Sequence, residues 1–172
     1  MILDLRQFEN FPAHLSLRAQ PGEVVIDYES VVQVNDAQLD LDIQKSGEEF
    51  FCQGQARASV RLTCARCLEE FDRELANTTD FIVCSKQWHD NHRDVKDNED
   101  YIFFEGGDLQ ADVTDMVRQA VIISMSMKPL CSEDCRGLCA SCGANLNEKS
   151  CGCKTEQTDE RWEALRRLSG LT

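Results

Sequence analysis

The chain has 172 residues, a formal net charge of −13 at pH 7 and 42% hydrophobic residues. This length allows one domain, or one domain with a small addition. Phosphate groups are bound by clustered lysine and arginine, so the acidic balance argues against simple nucleic-acid binding through a basic face. No apolar run reaches the roughly 18 residues of a membrane span, and the N-terminal stretch lacks the apolar region of a secretory signal, so a cytoplasmic protein is expected.

The first half of the chain is predicted to be mostly β-strand. The segment AQLDLDI alternates apolar residues with aspartates, which is the period-two pattern of a half-buried strand. Gly47 marks a turn, so residues 39–62 are predicted to form an antiparallel hairpin. Further strand candidates are MILDL, EVVIDYESV and EFDRELANTTDFIV, although the first part of the last could also be helical.

Residues 85–100 are polar and have no hydrophobic period, which predicts an exposed loop. His89 and His92 have the spacing of metal ligands there. No neighbouring apolar residue fixes them, so a solvated loop is favoured over a metal site.

The clearest helical pattern covers about residues 110–127, where the apolar positions recur at helical spacing: Val113, Met116, Val117, Ala120 and Val121. Asp108 or Asp112 is expected to cap this helix, and Pro129 is expected to end it. A second, short helix is predicted within residues 158–170, where an apolar stripe would pack on the cysteine-rich segment before it.

These elements predict an α+β protein. It would have an antiparallel sheet, open or barrel-like, one long helix, and a C-terminal zinc-knuckle module with a short helix. A boundary near residue 128 would separate a mainly β domain, 1–128, from the cysteine-rich module, 129–172.

Ten cysteines are present, and six of them lie within residues 131–153. A reducing cytosol disfavours structural disulfides, so this number points to a metal or to catalysis. Two pairs have the C-x-x-C spacing of a zinc knuckle, Cys64 with Cys67 and Cys139 with Cys142.

The cysteine spacing predicts two four-thiolate sites with one structural zinc ion each. The first would use four neighbouring cysteines of the C-terminal segment: Cys139, Cys142, Cys151 and Cys153. The second would clip the sheet to the end of the helix through the four that remain nearby: Cys64, Cys67, Cys131 and Cys135. The other two, Cys52 and Cys84, lie in apolar strand contexts and are expected to be buried.

Other uses of the cysteines are less favoured. An iron–sulfur cluster also takes four thiolates, but the short C-x-C pair and the small module favour zinc. The spacing of Cys135, Cys139 and Cys142 is that of radical S-adenosylmethionine enzymes, but too little chain follows for such a barrel. A redox pair would need a βαβ context, and a catalytic zinc would need an open position with histidine or carboxylate ligands.

A small basic stripe is the candidate RNA contact. Its four arginines are Arg57, Arg61, Arg66 and Arg73. Solvated charges on strand faces are the more favoured interpretation of this stripe.

Three segments resemble the YceD family, which is named for large ribosomal RNA subunit accumulation: SVRLTCARCLEEFD, DLQADVTDMVRQAVIISMSMKPLCSEDCRGLCASCGANLNEKSCGC and DERWEALRRL. The resemblance spans about residues 2–168. It implies a bacterial protein, with organellar relatives in plants, that supports 23S ribosomal RNA levels through large-subunit assembly or precursor processing. It assigns no catalytic residue.

Three functions remain open on these grounds. The favoured one is a non-enzymatic factor that binds a basic ribosomal protein or an rRNA-processing factor through its acidic surface. The alternative is a zinc-knuckle protein that contacts precursor 23S rRNA directly. A metal-dependent RNA-processing enzyme is least favoured, because no spacing of acids or histidines selects a catalytic pair.

Overall fold

The computed structural model describes residues 1–92, 100–104 and 107–153. Its main element is a five-stranded sheet in the order β2-β3-β4-β5-β6. The strands are Ala13–Arg18 (β2), Val31–Ser46 (β3), Glu49–Thr63 (β4), Glu70–Ser85 (β5) and Tyr101–Phe104 (β6). A separate two-stranded sheet pairs Ile2–Asp4 (β1) with Gln110–Asp112 (β7). The α-helices of the described residues are Lys86–His92 (α1) and Thr114–Ser124 (α2), and Leu5–Gln7 forms a short 3-10 helix.

The central hairpin is confirmed. Strands β3 and β4 pair from Ser46↔Glu49 to Val31↔Leu62, with Gly47 at a φ of 63° in the turn. Leu39, Leu41 and Ile43 are fully buried, because alternate residues of a strand point to the same face. Gly54 of β4 lies so close to β3 that an added Cβ would be 1.8 Å from the Asp40 carbonyl oxygen, so only glycine fits there.

The sheet is mixed and open. Strands β2 to β5 are antiparallel to their neighbours, whereas β5 and β6 run parallel. Within the described residues, β2 and β6 form its two edges. The barrel-like alternative is therefore wrong for this part of the chain.

The predicted long helix is also wrong, because α2 has only 11 residues. Residues 110–112, which were expected to begin it, instead form β7 against the first strand. The helix ends at Ser124, well before Pro129, because Met125 takes an extended backbone with a ψ of 139°. Neither Asp108 nor Asp112 caps this helix as predicted: the N-cap residue is Val113, without a side-chain cap hydrogen bond, although Oδ1 of the preceding Asp112 accepts the Thr114 backbone N–H at 2.9 Å.

Helix α2 covers one face of the sheet. Its predicted apolar face is confirmed, since Val117, Ala120 and Val121 are buried with the inward residues of β3, β4 and β5. The opposite face of the sheet is not covered by α2, and most of its side chains are polar and at least partly exposed.

Two predictions from the first half of the chain need correction. EVVIDYESV is not a strand before Val31, yet Val24 and Ile26 are buried from an irregular segment. The polar stretch after β5 begins as helix α1 rather than as a loop.

His89 of α1 is 2% exposed rather than solvated, since its ring lies 4.8 Å from that of Tyr101 and 4.9 Å from that of Phe103. The side chain of His92 and the predicted C-terminal helix lie outside the described residues. Within the described ranges, no helix is long and apolar enough to cross a lipid bilayer.

Candidate metal centres

The first C-x-x-C pair follows β4 in a tight backbone loop that we call knuckle 1, residues 64–69. The Leu68 N–H donates to the Cys64 carbonyl oxygen at 3.0 Å, and the Cys64 N–H donates to the Glu69 carbonyl oxygen at 2.9 Å. Leu68 closes this loop with a φ of 62°, in the left-handed region that side chains normally avoid.

The second pair repeats this geometry in knuckle 2, residues 139–144. The Gly143 N–H donates to the Cys139 carbonyl oxygen at 2.8 Å, and the Cys139 N–H donates to the Ala144 carbonyl oxygen at 2.9 Å. Gly143 has a φ of 72° at the position that corresponds to Leu68. The same loop is therefore built twice, once with glycine at the left-handed position and once with leucine.

The structure brings eight cysteines together in two groups of four, and within each group all Sγ atoms lie within 4.8 Å of one another. Tetrad 1 contains Cys64, Cys67, Cys131 and Cys135. Tetrad 2 contains Cys139, Cys142, Cys151 and Cys153. These are the two groups predicted from spacing, and the role of their members as metal ligands stays a prediction.

Around tetrad 1, knuckle 1 is joined to residues 129–138 by hydrogen bonds from both side chain and backbone. Arg66 donates from its guanidinium to the Cys135 carbonyl oxygen at 2.9 Å, and its own carbonyl oxygen accepts the Leu138 N–H at 3.1 Å. Gly137 packs against this carbonyl so closely that an added Cβ would lie 3.0 Å from its oxygen. The Ala65 N–H also donates to the Pro129 carbonyl oxygen at 2.8 Å. These contacts hold the two halves of the tetrad in register.

Tetrad 2 is more open. Cys142 and Cys153 are exposed, whereas three members of tetrad 1 are buried. No residue from 140 to 153 is buried, so this segment has no apolar core of its own. A short segment without a core needs another source of stability, such as a bound metal ion.

The sulfur separations in tetrad 1 fit a single metal ion. The Sγ atoms of Cys64 and Cys135 lie 3.7 Å apart, and those of Cys67 and Cys131 lie 3.6 Å apart. A disulfide would bring them to about 2.05 Å. A tetrahedron with metal–sulfur bonds of about 2.3 Å has edges of about 3.8 Å. Each tetrad could hold one metal ion, and the geometry is compatible with zinc.

The thiols of tetrad 1 divide into two classes. Burial opposes ionisation of Cys64, but backbone N–H groups of Cys67, Cys131 and Arg66 outweigh it and lower its pKa to about 6. Burial raises the pKa of Cys67 to about 12 and raises that of Cys131. Four neighbouring thiolates would repel one another, so such a set ionises fully only around a cation.

Three further thiols show the same division. In tetrad 2, the N–H groups of Cys142 and Ser141 lower the pKa of Cys139 to about 6, and a hydrogen bond with Cys142 raises that of Cys153 to about 12. The Asn147 side-chain amide donates to Cys135 Sγ of tetrad 1 at 3.4 Å and lowers the pKa of that thiol. Asn147 was missed in the sequence, because nothing in its surroundings marks it as a partner of sulfur.

The four arginines of the predicted RNA stripe are not grouped in one patch. Arg61 forms two 3.0 Å hydrogen bonds with Asp72, and Arg57 lies 3.3 Å from Asp40 on the same outer face. Arg73 donates to the Leu130 carbonyl oxygen at 2.8 Å beside tetrad 1. Arg66 also lies beside tetrad 1, in knuckle 1. Their contact with RNA stays a prediction.

The remaining two cysteines lie outside both tetrads. Cys52 and Cys84 are buried in β4 and β5, as expected from their apolar contexts. Burial raises the pKa of Cys52 to about 12, so its thiol stays protonated at neutral pH.

Comparisons with known proteins place these features in a family. Residues 52–169 match the sequence profile of the family described as "Large ribosomal RNA subunit accumulation protein YceD". The chloroplastic YCED homolog 1 of Arabidopsis thaliana is 22% identical over 153 residues, which cover 76% of this chain and 48% of the plant protein. The Zea mays protein of that name is 35% identical over 66 residues, covering 38% of this chain and 22% of the maize protein.

A bacterial relative matches over a larger share of both chains. An uncharacterised protein of Mycobacterium tuberculosis is 25% identical over 150 residues, which cover 87% of this chain and 70% of that protein. This chain spans about half the length of the Arabidopsis relative. No solved structure matches this chain. Because the family profile covers more than half of its residues, the chain belongs to the YceD family of large ribosomal RNA subunit accumulation proteins.

Proposed function

We propose that the protein is a non-enzymatic factor that supports the accumulation of 23S ribosomal RNA during large-subunit assembly, with one structural zinc ion in each tetrad. The observation that carries this proposal is the closure of two four-thiol sets, each of which includes a knuckle loop with the same backbone hydrogen bonds. Four cysteine ligands fill the coordination of zinc and leave no open position for substrate or water. Zinc would contribute folding free energy to the segments that each tetrad joins.

The compactness of the tetrads favours zinc over an iron–sulfur cluster. A cluster places its thiolates on separate iron atoms, so the sulfurs spread apart around it. In both tetrads all four sulfurs lie within 4.8 Å of one another, which suits one ion. The four residues that would hold each ion are the members of that tetrad, and the ion would fix the loops rather than carry out a reaction.

The favoured partner is a basic protein of the assembling large subunit or an rRNA-processing factor. The formal charge of −13 would steer a basic protein toward this chain and repel phosphate groups. We place this activity in the cytoplasm. The Arabidopsis relative is named as chloroplastic.

Direct contact with precursor 23S rRNA is the second candidate. It is supported by Arg66 and Arg73, which flank tetrad 1 and donate to backbone carbonyl groups. Among the described residues, no carboxylate forms a salt bridge with either arginine. Within this part of the chain, both positive charges are therefore unpaired next to a zinc-knuckle loop. Zinc knuckles can present such groups to unpaired bases.

The test of the proposed function is complementation in cells that lack the gene. The wild-type gene should restore the ratio of 23S to 16S rRNA, and a Cys64→Ser variant should fail to do so. An unchanged 23S rRNA level in the deletion strain would contradict the function. Binding of purified protein to precursor 23S rRNA, titrated with salt, separates the two candidates, because no binding near 0.1 M salt would exclude direct recognition.

A further inference from the structure

The outer face of the sheet carries an apolar centre near the β3–β4 turn. Phe51 of β4 is 40% exposed, and its cross-strand neighbour Ile82 is half-buried on β5. Together with their neighbours they line a shallow depression of about 390 Å³. An exposed aromatic residue on the central strand, with an apolar neighbour beside it, leaves apolar surface for a partner to cover.

Carboxylates surround this apolar centre. Asp42 on β3 and Asp80 on β5 are the cross-strand neighbours of Gln53 on β4. The two carboxylates therefore lie on either side of β4, next to the apolar centre. Strands in a sheet are about 4.8 Å apart, which separates the two carboxylates by about 10 Å. Asp100, just before β6, also lines the depression. We call Asp42, Phe51, Asp80, Ile82 and Asp100 the hairpin-end patch.

The negative charge of the patch is largely uncompensated. Among the described residues, Asp42 is the one carboxylate of the patch with an ion pair, to His14, whose Nδ1 lies 3.0 Å from its Oδ1 on the exposed surface. Within the described part of the chain, no salt bridge reaches Asp80 or Asp100. The other ion pairs of this face, Asp40 with Arg57 and Asp72 with Arg61, are neutral overall and lie closer to knuckle 1.

We propose that the hairpin-end patch is the docking surface for a lysine- or arginine-rich segment of a protein partner. The aliphatic stem of such a side chain packs on Phe51 and Ile82, and its charged head reaches the surrounding carboxylates. Basic residues two positions apart in an extended segment point to the same face about 7 Å apart, and their long side chains can reach carboxylates about 10 Å apart. RNA is excluded from the same surface, because its phosphates would meet three carboxylates.

The patch lies far from the end of the sheet that carries the knuckles. Phe51 and Thr63 are separated by 12 residues of β4, which is about 40 Å at the rise of an antiparallel strand. Thr63 directly precedes knuckle 1. Substitutions in the patch should therefore leave the metal content unchanged, which makes the surface testable separately from the tetrads.

The direct test is fluorescence anisotropy with a labelled peptide that alternates arginine with leucine, at about 50 mM salt. We compare the full chain with Phe51→Ser and with the double variant Asp80→Asn/Asp100→Asn. The matched control is Asp27→Asn/Glu133→Gln, which removes the same charge at exposed positions near the knuckle end. Metal content and circular dichroism confirm that each variant is folded.

We expect Phe51→Ser and the double variant each to weaken peptide binding about tenfold, and the control to change it less than about twofold. Equal weakening by the double variant and the control would show general charge attraction and overturn the proposal. Unchanged binding by Phe51→Ser would also overturn it. The biological identity of the partner rests on the proposed function, whose own failure would appear separately as normal 23S rRNA in the deletion strain.

Discussion

The two tetrads use the same knuckle loop in different surroundings. Tetrad 1 joins residues 64–67 to residues 131–135, and most of its sulfurs are buried between the sheet and the cysteine-rich segment. Tetrad 2 is formed within residues 139–153, and two of its sulfurs are exposed. A metal ion in tetrad 1 would therefore clip distant parts of the fold together, whereas one in tetrad 2 would organise a short surface segment.

The largest effect should follow from breaking tetrad 1 with Cys64→Ser. This variant should lose one metal ion per chain and the cross-link across a loop of more than 60 residues. A cross-link of that length is worth about 4 kcal/mol, so the melting temperature should fall by about 10–15 °C. Differential scanning calorimetry and metal analysis of the same sample check this. A melting temperature within a few degrees of wild type would contradict the clip.

Breaking tetrad 2 with Cys142→Ser should have a much smaller effect on the sheet. The variant should also lose one metal ion, but its melting temperature should fall by less than about 3 °C, because residues 140–153 bury nothing in the core. It serves as the matched control for Cys64→Ser. Equal destabilisation by the two substitutions would show that the tetrads form one cooperative unit.

The difference in exposure should also appear in the rate of metal release. A chelator with a colorimetric readout should remove zinc in two phases of equal amplitude, at least about tenfold apart in rate, because tetrad 2 opens without unfolding the sheet. Cys142→Ser should abolish the fast phase and leave the slow one. A single phase from the wild-type protein would show that the two sites do not differ in this way.

The smallest effect should come from the left-handed position of the knuckles. Leu68 is 63% exposed at a φ of 62°, so Leu68→Gly should raise the free energy of unfolding by about 0.5–1 kcal/mol. Gly143→Ala should instead destabilise knuckle 2, which would be measured as faster zinc release. Urea denaturation measures the first change. A loss of stability in Leu68→Gly would mean that the leucine makes contacts that outweigh its backbone strain.

The central hairpin and the two C-x-x-C knuckles were predictable because both depend on local spacing, whereas the long-range pairing in tetrad 1 followed only from the number of cysteines left over. The alternation of Leu39, Leu41 and Ile43 determines the face of β3, and each knuckle is encoded by two cysteines three positions apart. The left-handed Leu68 could have been predicted only by aligning CARCL with CASCG, because leucine itself gives no signal for a positive φ.

The errors arise where distant partners override local pattern. Residues 110–112 fit a helical period, but the first strand recruits them into a sheet more than 100 residues away in sequence. His89 appeared solvated because its aromatic partners, Tyr101 and Phe103, lie beyond a polar stretch. Val24 and Ile26 are buried from a segment without strand pairing, so composition alone misassigned them.

The most direct test of the two-metal architecture is elemental analysis of the protein, purified under reducing conditions without added zinc. The account predicts two zinc ions per chain, one lost in Cys64→Ser and the other in Cys142→Ser. Iron in place of zinc, or a metal-free protein whose eight tetrad cysteines are oxidised, would contradict it.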